Sequence, residues 1–219
     1  MPVLLPFAAI IVLVIAALLF LDDLAAGMRG QYPLWLADTA LFITDVGRSW
    51  WIITLTSIVI VVAWSLKRLS SSENIGRIAA SAAAMAAYIL ASVGLASLIV
   101  NIIKRAIGRP RPVMFDGHGL FSFHPFKGNF DFESFPSGHA TVNGALFMAL
   151  ALLFPRLRIP LLVAGLCLAL TRVFVGAHFP SDVTAGFGFG MWFAFATALW
   201  FSRFGVLFDM KDGQLTVLK

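Results

Sequence analysis

Runs of apolar side chains about as long as a bilayer is thick recur along the 219-residue chain, and they constrain its fold before anything else does. A helix needs about 20 such residues to cross the hydrocarbon core. Residues 3–21, 50–66, 78–103, 139–154, 161–177 and 182–202 meet or approach that length. Composition agrees, with 60% of residues hydrophobic and 12% charged, against about 45–50% and about 25% in a soluble domain. The mean hydropathy is +0.91. A soluble core of this size cannot hide that excess. The expected fold is therefore an all-α polytopic membrane protein, with six transmembrane helices in one bundle and residues 1–219 in a single domain. Disorder, collagen, coiled coil and a disulfide scaffold are excluded on the same numbers. The single cysteine, Cys167, leaves no internal disulfide to form.

The polar segments fix the rest of the layout. Residues 3–21 lack a basic flank and a cleavage site, which predicts a retained helix. Residues 24–49 read as an extramembrane or interfacial connection, 67–77 as a polar loop, 104–137 as a long outward-facing loop, and 178–181 as a tight turn. Ala79, Ala83, Ala87, Ala91 and Gly94 predict close helix packing, as do Gly186 and Gly190, rather than a dimerisation site. The net charge of +5 fits loop charges that set topology better than a nucleic-acid partner. Six spans place both termini on one side, and the 16 Lys and Arg divide evenly between the two sides. Setting aside Lys104, Arg111 and Arg172, which are needed for chemistry, leaves five on the side of the long loop. The positive-inside rule then predicts cytoplasmic termini and a site facing the periplasm or exterior.

Ionisable groups at span ends are costly and are functional candidates by default. Here Lys104, Arg111, His139, Arg172, His178 and Asp182 all fall at one face of the predicted bundle. Lys104 through Arg111-Pro112 is a basic juxtamembrane stretch in which Pro112 keeps Arg111 out of helical geometry. In Pro136-Ser137-Gly138-His139, Ser137 is a good N-cap, Gly138 permits close approach to the backbone, and the helix start offers N–H groups to an anion. Arg172, His178 and Asp182 form the third stretch, where a carboxylate could hold one imidazole nitrogen and leave the other free to attack. Simpler roles exist for each: a lipid-facing basic patch, a plain helix cap, a first-turn carboxylate. Together, three cations and a helix N-terminus match a phosphoryl group in transfer, and two histidines match a nucleophile and a general acid. No carboxylate cluster suggests a metal site, so the expected chemistry uses neither metal nor cofactor.

Lys104-x6-Arg111-Pro112, Pro136-Ser137-Gly138-His139 and Arg172-x5-His178-x3-Asp182 resemble the three signature motifs of the phosphatidic acid phosphatase type 2 superfamily. The motifs occupy 104–182, and the six-span layout is similar to the family's bacterial membrane members. Thr171 stands where the family often has Ser, a conservative departure. Vanadium haloperoxidases share the motifs but are soluble, which this composition excludes. The resemblance implies that His178 attacks phosphorus to form a phosphohistidine and that Asp182 orients it. It implies that His139 protonates the leaving oxygen, and that Lys104, Arg111, Ser137, Gly138 and Arg172 hold the phosphate oxygens. The implied protein is a phosphatase of the bacterial inner membrane. Its partners are the bilayer and a lipid phosphate, with no obligate protein partner. Candidate substrates are lipid A 1-phosphate, phosphatidylglycerophosphate, undecaprenyl diphosphate and phosphatidic acid. A phosphotransferase using the same intermediate is the sibling alternative; an anion or lipid transporter is the alternative from another class, disfavoured by a cluster at the mouth rather than the midplane.

Two features stay open. Residues 115–135 hold seven phenylalanines, which suit either an interfacial lid or local packing. Residues 43–51 are similar to a stretch of bacterial lipid A phosphatases within the superfamily, over too short a span to choose a substrate.

Overall fold

The computed structural model describes residues 4–211 and 213–218, so Val3, the expected first residue of the first span, lies outside the described residues. Among the described residues nine α-helices precede a short hairpin: α1 (Leu4–Phe20), α2 (Asp22–Gly27), α3 (Leu34–Ile43), α4 (Ser49–Leu69), α5 (Glu73–Ile107), α6 (Phe115–His118), α7 (Gly138–Leu153), α8 (Arg158–Phe174) and α9 (Pro180–Ser202), then strands β1 (Phe208–Lys211) and β2 (Gln214–Val217). Helical stretches over 34–69, 73–118, 155–174 and 180–202 are long and apolar enough to cross a membrane, while α1 and α7 are shorter apolar helices.

Local sequence explains most helix ends. Ser137 caps α7 by accepting from the Ala140 N–H, and Pro180 opens α9 at a position where no N–H is needed. Gly108 ends α5 in the left-handed region at φ +66°, and a Cβ there would strike the His124 backbone. Several boundaries move from their expected places. α4 and α5 run to Leu69 and from Glu73, so the predicted polar loop over 67–77 shrinks to 70–72. The connection over 24–49 folds into α2, α3 and a 3₁₀ turn at Thr44–Gly47. The all-α expectation needs one correction. The C-terminal tail pairs as an antiparallel hairpin, Phe208 opposite Val217 and Met210 opposite Leu215.

α7 is the most enclosed helix, packed by α9, α8 and α5. Its contact with α9 is backbone-close. A Cβ at Gly144, Gly186 or Gly190 would collide with the carbonyls of Phe187, Ser137 and Thr141 respectively. Gly186 and Gly190 thus serve helix packing within the chain. On α5 the buried stripe carries Ala79, Ala86, Val93 and Val100; of the expected set, Ala79 is buried and Ala83, Ala87, Ala91 and Gly94 are half-buried. A seven-residue spacing keeps one face toward α7 along a helix of 35 residues, about 52 Å. At one end Tyr88, Leu152, Leu153, Ala198, Phe201 and Phe208 close the core, with the Tyr88 hydroxyl donating to the Ala194 carbonyl at 3.0 Å. The other end gathers the C-termini of α1, α5 and α8 and the N-termini of α4, α7 and α9. That is where the polar side chains meet.

Candidate active site

His178 sits in the turn between α8 and α9, 4% exposed. Its Nδ1 lies 2.8 Å from the Ser134 carbonyl. A carbonyl only accepts, so in the neutral ring Nδ1 carries the proton and Nε2 keeps its lone pair. Nε2 faces the Arg111 guanidinium, 3.5 Å from Nη1. Burial foremost pushes His178 down to about 4, with Arg111 and Arg172 acting the same way and Asp182 opposing them. The neutral form therefore dominates at neutral pH.

The role expected for Asp182 is corrected by its surroundings. Its carboxylate is 3.7 Å from His178 Nδ1, too far for a hydrogen bond, and acts on the ring as a nearby charge. The reason is that Asp182 is already taken. Oδ1 accepts from Arg109 Nη1 at 2.5 Å; Oδ2 accepts from the Ser134 hydroxyl at 2.5 Å and from the Phe179 N–H at 2.9 Å. The last bond also makes Asp182 a first-turn cap of α9. Ser134 thus touches both partners, its carbonyl on His178 and its hydroxyl on Asp182.

Arg111 is fixed mainly by backbone oxygens. It donates to the carbonyls of Phe130 at 3.0 Å and Ala177 at 3.1 Å, and lies over the Phe130 ring at 3.7 Å. Burial and then Arg172 lower it to about 10, which leaves it charged. Arg172 is held by the Thr44 hydroxyl at 2.9 Å, while its buried Nε has no partner among the described residues. Arg172, His178, Arg48 and Arg111 all act electrostatically on the His139 imidazole, whose ring nitrogens make no hydrogen bond among the described residues. At the start of α7 the N–H groups of Gly138 and His139 are likewise unclaimed, and a Cβ at Gly138 would meet nothing within 4 Å. The structure thus gathers His139, Gly138, Arg111, Arg172 and His178 around one mouth.

Two expected residues sit differently. Lys104 forms an ion pair with Glu133 at 3.0 Å, a carboxylate shared with Arg105 at 3.3 Å. Burial would raise Glu133, but Lys104 first and Arg105 second hold it low. Lys104 therefore reaches the site as part of a pair, beside the Glu133 carbonyl that accepts from Arg111 at 3.4 Å. Ser137 is fully buried, and its N–H donates to the Asp182 carbonyl at 3.0 Å. It joins α7 to α9 rather than opening to the mouth.

Sequence reasoning did not single out Ser134, Glu133, Arg109, Asp22 or Thr44. Arg109 looked like a loop charge and Asp22 like the polar end of a span, yet they are 3% and 0% exposed. The Phe-rich segment divides between its two expectations. Phe132 is buried against the His118 and His124 rings, whereas Phe121, Phe123, Phe126 and Phe130 stay exposed. His118 and His124 pack there, away from the mouth. Among the described residues no group of three or more His, Cys, Asp or Glu could hold a metal ion.

A lipid A 1-phosphatase of Rhizobium etli is 39% identical over 208 residues, covering 94% of this chain and 88% of that one. An undecaprenyl-diphosphatase of Bacillus subtilis is 38% identical over 93 residues, 41% of this chain and 45% of that one. The crystal structure of a transmembrane PAP2-type phosphatidylglycerolphosphate phosphatase from Bacillus subtilis superposes with a TM-score of 0.62 at 21% identity, over 90% of this chain and 94% of that one. The PAP2 superfamily model matches residues 85–205, which include α7, α8, α9 and every residue of the mouth except Thr44 and Arg48. The chain belongs to the PAP2 superfamily.

Proposed function

We propose that this protein is an integral membrane phosphatase that hydrolyses a lipid phosphate through a phosphohistidine on His178 Nε2. The observation that carries this is the pinned imidazole, with Nδ1–H on the Ser134 carbonyl and the Nε2 lone pair facing the Arg111 guanidinium at 3.5 Å. In the first step the Nε2 lone pair forms the N–P bond as the P–O bond to the lipid breaks. His139 supplies the proton that the departing oxygen needs. Arg111, Arg172 and the free N–H groups of α7 balance charge on the phosphoryl oxygens, with Lys104 joining from its pair with Glu133. Water then attacks phosphorus and gives its proton to His139 while the N–P bond breaks, its electron pair returning to His178 Nε2 as phosphate leaves.

Lipid A 1-phosphate is the favoured substrate, because the relative named for it aligns along nearly all of both chains. Undecaprenyl diphosphate is second, on a relative aligned over less than half of each chain. Phosphatidylglycerophosphate and phosphatidic acid complete the panel. The expected experiment is phosphate release by purified protein across these four lipids with EDTA present. Turnover fastest on lipid A 1-phosphate and indifferent to EDTA is the predicted result. Release from none of them contradicts the reading, and transfer to another lipid in place of release would make it a phosphotransferase.

Six helices, α1, α4, α5, α7, α8 and α9, are proposed to span the bacterial inner membrane as one domain. Arg109, being buried in an ion pair, drops out of the topogenic count and leaves four basic residues on the mouth side against eight opposite. That count supports termini in the cytoplasm and a mouth outside. A cysteine at Gly119 in a Cys167→Ala background should label with an impermeant maleimide in intact cells, and one at Ser71 only after lysis. The reverse pattern would turn the protein over.

A further inference from the structure

Behind His178 lies a buried chain of charges that the motifs do not include. Asp22, at the start of α2, is fully buried. Its carboxylate accepts from Arg109 Nη2 at 2.9 Å, from the Ser181 N–H at 2.9 Å and from the Ser181 hydroxyl at 2.5 Å. Arg109 bridges onward, donating through Nη1 to Asp182 at 2.5 Å and to the Ser181 hydroxyl at 2.8 Å. Its guanidinium also lies over the Phe179 ring at 4.5 Å, next to the histidine. One guanidinium thus holds two carboxylates from opposite ends of the sequence, and only the second of them faces the imidazole.

A carboxylate–guanidinium–carboxylate row in a dry interior is more than a staple. Removing water strengthens each charge's effect on its neighbours. Asp182 makes the imidazolium form of His178 more favourable; Arg109 offsets part of that charge; Asp22 in turn offsets part of Arg109. The other ionisable groups facing His178 are Arg111 from the loop, Arg172 from α8 and His139 from α7. None of these touches Asp22. We propose that Asp22 and Arg109 are positioning residues that set, through Asp182, the charge felt by the His178 imidazole, so that the second helix of the chain tunes the nucleophile. The proposal rests on His178 being the nucleophile, and its test has a readout that does not require turnover.

The signs of two substitutions separate tuning from scaffolding. Asp22→Asn keeps an oxygen for the Ser181 N–H but removes the outer negative charge, so Arg109 cancels Asp182 more completely and His178 binds a proton less readily. Asp22→Asn with Arg109→Gln removes both outer charges and leaves Asp182 alone to favour the imidazolium. The trio carries the same total charge as before, which limits the folding cost. The chain has four histidines, so their imidazole resonances can be assigned one by one in histidine-labelled protein in detergent.

The expected result is a His178 titration midpoint lower by about one pH unit in Asp22→Asn and higher than wild type in the double variant. The acid limb of kcat/KM should follow the same two directions, with kcat moved more than KM. Midpoints that coincide in all three proteins, or that move the same way in both variants, overturn the proposal. Where Asp22→Asn does not accumulate, the double variant decides alone, since an unshifted or lowered midpoint contradicts tuning. Titration shifts of the expected sign in a wild type that releases no phosphate would sink the phosphatase reading and leave the relay standing.

Discussion

The two histidines of the mouth are held in opposite ways. His178 is buried and pinned by a carbonyl, and its charged neighbour Asp182 has every oxygen occupied. His139 is half-buried with no hydrogen bond on its ring among the described residues, and beside it Arg172 Nε and both amide atoms of Asn143 are buried without partners among those residues. A nucleophile gains from one fixed tautomer and one fixed line of attack. A group that gives a proton to the leaving oxygen and later takes one from water must meet two different partners. Rigidity on one side and spare hydrogen-bonding capacity on the other fit the proposed division of labour.

Breaking the rigid side at its centre should have the largest effect. His178→Ala should abolish turnover while the protein still folds, because it removes the proposed nucleophile. Wild-type-like phosphate release by this variant would end the mechanism. On the loose side, His139→Ala should slow a lipid alkoxide leaving group by about 10²–10⁴-fold. An activated aryl phosphate, which needs little protonation, should be hurt much less. Equal losses on the two substrates would reduce His139 to a phosphate ligand.

Asp182→Asn should cost less than a catalytic-triad analogy suggests. The Ser134 carbonyl, not Asp182, sets the His178 tautomer, so the loss is electrostatic, about 10²–10³-fold in kcat. A loss under threefold would leave Asp182 as a cap of α9 and nothing more. Ser134→Ala should be the mildest of the four. It removes the hydroxyl bond to Asp182 but keeps the carbonyl on His178, and a bond to a charged group contributes about 1.5–3 kcal/mol at most. Roughly tenfold slower turnover with unchanged KM is expected; a loss as large as that of His178→Ala would show that the hydroxyl, not the carbonyl, positions the ring.

How much of this could be read from the sequence follows from what each residue advertises. His139, Arg172, His178 and Asp182 stand out because charge or imidazole at the end of an apolar run is expensive, and their positions at one face follow from counting spans. Asp22 and Arg109 are equally charged but look ordinary, since a carboxylate after an apolar run and an arginine in a basic loop usually meet water. Only the fold reveals that they meet each other. Ser134 is invisible for a different reason: its decisive group is a backbone carbonyl, which every residue has. The hairpin is the reverse case, for Asp212-Gly213 between Phe208 and Leu215 is a turn signal that helical periodicity does not register. On α5, Ala79 of the expected set lies on the buried stripe while Ala83, Ala87 and Ala91 are half-buried, because a long helix packed along its whole length follows a seven-residue repeat.

The central claim is that the lone pair on His178 Nε2 attacks phosphorus. Its most direct measurement is to mix the protein with lipid labelled in the phosphoryl group, quench in alkali during turnover, and locate the label by peptide and by ring nitrogen. The account predicts phosphohistidine at residue 178 substituted on Nε2, absent from His178→Ala and accumulating in a His139→Ala variant given an activated aryl phosphate. Label on Nδ1, label on His139, or steady turnover with no labelled histidine at all would contradict it.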